Sequence, residues 1–222
     1  MIIVHHLNAS RSQRILWLLE ELGLEYQVKN YTRDAKTMLA PASLRAVHPL
    51  GKSPVITDGD RTIAESAAIV EYLIDVYGQG RFIPPAGSAE RLAYTYWLHH
   101  AEGSAMPPLV MKLVFSHMPS QVPGLIRPVA RAISKGVMSK FLDPNIGALM
   151  TLWESTLGAT PWFAGTQITG ADILMSFPVE ASMSRGAPAG GFPNLARFLN
   201  TIKARPAYQR ALAKGGPFEL LS

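Results

Sequence analysis

Residues 1–31 read MIIVHHLNASRSQRILWLLEELGLEYQVKNY. Ile2 to Leu7 is a short apolar run with β-branched residues, as in a buried strand. Asn8-Ala9-Ser10 has turn character. From Arg14 to Leu24 the positions Ile15, Leu16, Leu18, Leu19 and Leu22 fall at helical spacing, and Gly23 is placed to end that helix. Tyr26 to Tyr31 alternates as a second strand does. A helix between two strands returns the chain to the end it left, so this opening predicts a parallel βαβ unit.

Outward from that unit, residues 32–53 are mixed, with a short helix expected near 41–46. Pro54 to Thr57 reads as a third strand, and Asp58-Gly59-Asp60 as a hairpin turn into a fourth, Arg61 to Ala64. Glu65 to Val76 places Ala68, Ile69, Tyr72, Leu73 and Val76 on one helix face. The order is β-α-β-α-β-β-α. The run GQGRFIPPAGS at 78–88 then reads as a linker. Everything beyond it looks helical: Ala89 to His117, which Pro107-Pro108 should kink or split, then Pro128–Leu157, Gly170–Met183, Leu195–Ala204 and Pro206–Ala213. The expected division is an α/β domain at 1–78, a linker at 79–88 and an all-helical domain at 89–222.

Bulk composition narrows the classes. Of 222 residues 48% are hydrophobic and 17% charged, enough for a core and too little charge for a disordered chain. There is no cysteine, which rules out disulfides, thiolate metal sites and chemistry on the protein's own thiol, and makes a cytoplasmic home the simpler expectation. The start has no basic segment followed by an apolar one, and no long uncharged apolar run follows, so neither a signal peptide nor a membrane span is expected. The net charge of +5 suggests nucleic acid, yet the densest basic stretch, Arg127 to Lys140, holds only four cations in fourteen residues. Nucleic-acid binding is therefore not expected; a mildly basic surface suits small anions equally well. His5 and His6 point to opposite faces of a strand, His99 and His100 diverge on a helix, and no HExxH spacing occurs, so no metal is expected. Gly-rich phosphate loops and a GxSxG elbow are absent.

Three places carry chemistry. Ser10 lies between a strand end and a helix start. There it is either a helix cap or a hydroxyl beside backbone N–H groups that favour an anion. Ser12 competes for either role. Pro54 stands at a strand start; with a cis bond before it, the backbone of Ser53 can pair with an extended peptide ligand. Glu65-Ser66 opens a helix. It is a plain acidic cap, or a seat for an α-amino-acid head group with Glu65 on the ammonium and Ser66 on the carboxylate.

Together the motifs N-A-S10-R-S-Q-R14, H48-P-L-G-K-S-P54 and A-E65-S66-A-A-I-V-E-Y-L resemble the glutathione-binding, thioredoxin-like half of the cytosolic glutathione transferases, serine type and bacterial in flavour. That family's Ser-x-x-x-Arg spacing maps the catalytic serine to Ser10 rather than Ser12, because Arg14 lies four residues on. Ile168-Thr169-Gly170-Ala171-Asp172-Ile173 matches the family's buried helix start, and is also a sound capping box with Thr169 and Asp172 as partners. One departure is Ser53, where relatives carry Val or Ile before the proline. Lys52 sits where relatives approach the glycine carboxylate of glutathione. The resemblance implies glutathione as co-substrate, a homodimer, a detoxifying transferase activity, and glutathione contacts from Ser10, Lys52, Ser53, Pro54, Glu65 and Ser66. Tyr94, Trp97, His100, Met106 and Met111 are the candidates to line a second-substrate pocket between the domains. Glutathione-dependent peroxidase or disulfide reductase activity, or a non-catalytic binding module of the same fold, are the alternatives.

Overall fold

The computed structural model describes residues 1–8, 10–34, 37, 39–184 and 191–216. Four strands, β1 (Ile2–Leu7), β2 (Tyr26–Tyr31), β3 (Val55–Asp58) and β4 (Arg61–Ala64), form one sheet in the order β2-β1-β3-β4. β1 runs parallel to β2 with Val4 opposite Val28, and antiparallel to β3 with Val4 opposite Ile56. The parallel pair is the one the opening stretch predicts. Its crossover helix α1 (Gln13–Leu22) stops at Gly23, whose φ of 71° is left-handed and costs a residue without Cβ nothing. The helices α2 (Ala42–Arg45) and α3 (Ser66–Tyr77) complete this half.

From Ala89 onward the named elements are all helices. α4 (Ala89–His100) and α5 (Met106–His117) are joined by a π-helical turn, Ala101–Ala105, so the expected long helix is indeed split. The split lies just before Pro107-Pro108. These prolines then occupy the first turn of α5, where a missing N–H costs nothing. A second π-helical turn, Met138–Leu142, divides α6 (Arg127–Val137) from α7 (Asp143–Ala159). It falls inside a segment that sequence periodicity presents as unbroken. α8 (Gly170–Ser184), α9 (Pro193–Lys203) and α10 (Pro206–Gly215) follow. Among the described residues no helix is long and apolar enough to cross a membrane.

One core joins both halves. Val4, Leu16, Trp17, Ile69 and Leu73 from the first half pack in the same cluster as Trp97, Trp153, Ile173 and Phe198 from the second. Fully burying each such side chain contributes about 1.5–3 kcal/mol. α1 is buried on nearly every side, from Gln13 through Glu20, because the sheet, α8 and α10 enclose it. At the start of α8 the capping box forms with an altered polarity. The Thr169 amide donates to the Asp172 carboxylate at 2.8 Å, but the Thr169 hydroxyl donates to it as well, at 2.9 Å, instead of accepting. Gly170 is required there, since a Cβ would lie 2.6 Å from Ile74 and 2.8 Å from Val70 on α3.

Candidate active site

The end of β1, the start of α1 and the turn before β3 bring three serine hydroxyls together. Ser10 Oγ lies 2.7 Å from Ser12 Oγ and donates to Ser53 Oγ at 3.2 Å. Ser53 donates its own proton to the carbonyl of His5 at 3.0 Å. Ser12 Oγ lies 2.8 Å from His6 Nδ1. Exposure separates the two serines that sequence left in competition. Ser12 is 0% exposed and has no route to a ligand, while Ser10 keeps 6% at the surface. The cap reading of Ser10 finds little support, because its oxygen accepts from the Ser12 amide only at 3.4 Å and the first turn of α1 has no side-chain cap. Those uncapped amides and the helix dipole favour an anion beside Ser10.

The remaining expected residues fall around this group. The Ser53–Pro54 peptide is cis, Pro54 is buried, and Lys52 is exposed at the same turn. The Ser53 hydroxyl explains why a polar residue is tolerated before the proline: it bridges the backbone of β1 by donating to His5 and accepting from the Leu7 amide at 3.4 Å. Glu65 is exposed with φ 72° and ψ 126°, a conformation that costs a side-chain-bearing residue about 1–3 kcal/mol. Such strain is concentrated at binding sites. Ser66 is buried beneath it.

Arg14, used in sequence as the marker for Ser10, does not touch it. Its buried guanidinium donates to the Leu174 carbonyl at 2.6 Å, to Ser66 Oγ at 3.2 Å and to Glu102 at 2.6 Å. Glu102 also pairs with Arg11. Burial pushes the Arg14 guanidinium down, and the Glu102 carboxylate opposes that. Burial pushes the Glu102 carboxyl up, but Arg14 and Arg11 outweigh it and hold it below the usual range. Glu102 belongs to the π-helical turn after α4, so the pair fastens the helical half to both α1 and α3. Sequence reading missed Arg11, Glu102 and His6. The first two carry no spacing signal. His6 had one: alternation along β1 sends His5 to one face, where its Nδ1 meets Tyr31 Oη at 2.9 Å, and His6 to the other, toward α1. Burial depresses His6, and the Gly215 carbonyl partly counters this by favouring the charged ring.

Four of the five residues expected in a second-substrate pocket prove to be interior. Tyr94, Trp97, His100 and Met106 are all buried, and only Met111 is exposed. Trp97 packs 4.7 Å from Phe163, and His100 Nε2 accepts from Trp153 Nε1 at 3.0 Å. The helical spacing that suggested a pocket wall is the spacing of the inward face of α4. A cavity of about 470 Å³ lies elsewhere, between linker residues Gly80–Pro85 and the segment Ala164–Thr169, and shares no residue with the serine group. Among the described residues no three His, Asp or Glu side chains are grouped to hold a metal.

Comparison with known proteins agrees with this geometry. The family described as "Glutathione S-transferase, N-terminal domain" matches residues 10–76, and "Glutathione S-transferase, C-terminal domain" matches residues 111–206. The chain is 35% identical to glutathione S-transferase 3 of Schizosaccharomyces pombe, over 96% of this chain and 88% of that protein. It is 30% identical to glutathione S-transferase 1 of Saccharomyces cerevisiae, over 98% of each. A crystal structure of a glutathione S-transferase from Actinobacillus pleuropneumoniae superposes with a TM-score of 0.78 at 34% identity, covering 99% of this chain and 95% of that one.

Proposed function

The chain belongs to the glutathione transferase family, and on that premise we propose that it binds glutathione across the β1–α1 and β4–α3 junctions and ionises its thiol at Ser10. Glu65 and Ser66 take the γ-glutamyl head group, Ser53 and Pro54 the cysteine main chain, and Lys52 the glycine carboxylate. Arg14 donates to Ser66 Oγ, so the Ser66 proton is left to donate to a ligand carboxylate. The observation that carries the reading is the commitment of protons. Ser53 spends its proton on a backbone carbonyl and Ser12 is fully buried against a histidine, so Ser10, whose 3.2 Å bond to Ser53 is the longest of these contacts, is the hydroxyl able to turn toward sulfur.

The energetics are adequate. A free thiol near pKa 8.5 is about 3% ionised at neutral pH. Lowering that value by about two units needs roughly 2.7 kcal/mol. A hydroxyl hydrogen bond to an anion supplies about 1.5–3 kcal/mol. The helix end adds about 0.3–2 kcal/mol. The thiolate then attacks an electrophilic carbon that enters where Arg11 faces Glu102. Met111, on α5 beyond that π-helical turn, is the one expected pocket residue left exposed.

Cytoplasmic residence and a homodimer complete the reading. A chain without cysteine forms no disulfide and so fits a reducing compartment. Leu92 and Tyr96, exposed at i and i+4 on α4, offer one apolar face to a second copy. Retention on immobilised glutathione followed by turnover of a chloronitrobenzene tests the function. Retention without turnover of any electrophile or peroxide would favour a binding module instead.

A further inference from the structure

We propose that α6 and the turn before it form a docking surface for an anionic lipid bilayer. The charge of the chain is concentrated there. Residues 103–142 contain Lys112, Arg127, Arg131, Lys135 and Lys140 but no Asp or Glu, so the whole formal net charge of +5 sits in this stretch. Outside it, Lys and Arg are matched in number by the 16 Asp and Glu. Pairing is equally uneven. Lys203, Arg205, Arg210 and Lys214, in and between α9 and α10, each reach a carboxylate. Lys112 reaches Asp143. Among the described residues Arg127, Arg131, Lys135 and Lys140 reach none.

Apolar side chains stand beside these cations. α6 turns Ala130 and Ser134 inward. Around its open surface three rows run at spacings of four residues. An apolar row begins at Leu125, in the 3-10 turn Gly124–Ile126 that feeds α6, and continues through Val129 and Ile133; these are 93%, 61% and 53% exposed. Pro128, Ala132 and Gly136 make a row of small residues next to it, and Arg127, Arg131 and Lys135 a cationic row beyond. Small side chains in the middle let the helix lie close to a flat surface. The apolar row then enters the boundary between headgroups and acyl chains, while the long cationic side chains reach lipid phosphates. The contact is peripheral, in the plane of the interface rather than across it. An anionic bilayer satisfies both rows at once. A second copy does not: a two-fold contact presents the same patch from both sides, and with no acid on the patch cations would face cations. Nucleic acid would meet the cations but leave the apolar row without a partner.

The full chain is sedimented with vesicles of phosphatidylcholine alone and of phosphatidylcholine mixed with phosphatidylserine, at low and high salt. Binding is expected only to the mixed vesicles, and salt should weaken it. Removing two cations in the double variant Arg131→Gln, Lys135→Gln should weaken partition roughly 20- to 30-fold. Leu125→Ser should weaken it roughly 10- to 100-fold. Both proteins should keep the wild-type circular dichroism and turnover with glutathione, since all three residues are exposed and stand apart from the serine group. Equal binding to neutral vesicles, or binding to neither, overturns the proposal. So does a Leu125→Ser variant that binds like the wild type, which would leave a charge-only surface of the kind nucleic acid takes. Self-association that rises with protein concentration and is lost in Leu125→Ser, without vesicle binding, would overturn it by giving the face to a second copy.

Discussion

Replacing Ser10 by alanine removes the hydroxyl proposed to leave its 3.2 Å bond to Ser53 and meet sulfur. Ser12 has no surface and faces His6, and Ser53 is held by the His5 carbonyl, so neither neighbour can substitute. The loss is that of a hydroxyl hydrogen bond to an anion, about 1.5–3 kcal/mol. At about 1.36 kcal/mol per pKa unit this raises the thiol of bound glutathione by about one to two units. The end of α1 stays and limits the rise. On the acid side of both midpoints each unit lowers the thiolate tenfold, so kcat there should fall by roughly 10- to 100-fold. KM for glutathione should hardly change, because Glu65, Ser66 and Ser53 are untouched. Thiolate absorbance of the binary complex is titrated against pH, beside conjugation kinetics at saturating glutathione. A midpoint in Ser10→Ala equal to that of the wild type would refute the reasoning, as would a larger shift in Ser12→Ala than in Ser10→Ala.

Glu65→Gly should separate stability from binding. Glycine relieves a strain of about 1–3 kcal/mol at φ 72° for an entropic cost of about 0.5–1 kcal/mol, so the melting temperature should hold or rise. Glutathione affinity should fall by roughly 10- to 100-fold with the lost charged contact, as calorimetry would show. Glu102→Gln strips the buried Arg14 of its counter-charge and should lower the unfolding free energy by about 3 kcal/mol or less, given that Glu102 is partly exposed, in a urea titration. Burial raises the Asp172 carboxyl to about 6 from the usual 3.8, against hydrogen bonds from Phe163 and Thr169. Between those values the native state holds a proton that the unfolded chain has released. Stability therefore falls as pH rises through that window, by about 2–3 kcal/mol relative to Asp172→Asn. Parallel curves for the two proteins would contradict this.

How much was legible depended on how local the determinants are. The βαβ opening, the hairpin and the glycine stop at 23 are set by short-range pattern, and the structure reproduces them within a residue or two. Ser53, Pro54, Glu65 and Ser66 lie toward one end of the strands with Ser10, because each sits at a strand–helix or loop–strand junction there. The π-helical turns escaped, since an extra residue per turn leaves hydrophobic spacing almost unchanged over so short a run. The aromatic residues of α4 were misplaced because the spacing of a pocket wall and of a core face is the same; only the partners, Phe163 and Trp153, distinguish them. Arg14 was picked out for its spacing from Ser10, while its actual partners, Glu102 and Leu174, lie 88 and 160 residues away.

The closing of α10 over α1 has a consequence for biosynthesis. His6 and Ser10 leave the ribosome long before Gly215 does. A Cβ at Gly215 would lie 2.4 Å from Gln13, so this final helical turn is fitted against the very start of α1. A nascent chain halted before α10 would leave one face of α1, beside the serine group, uncovered. The packing around the start of α1 is in this sense completed only once α10 has been made and has folded back onto it.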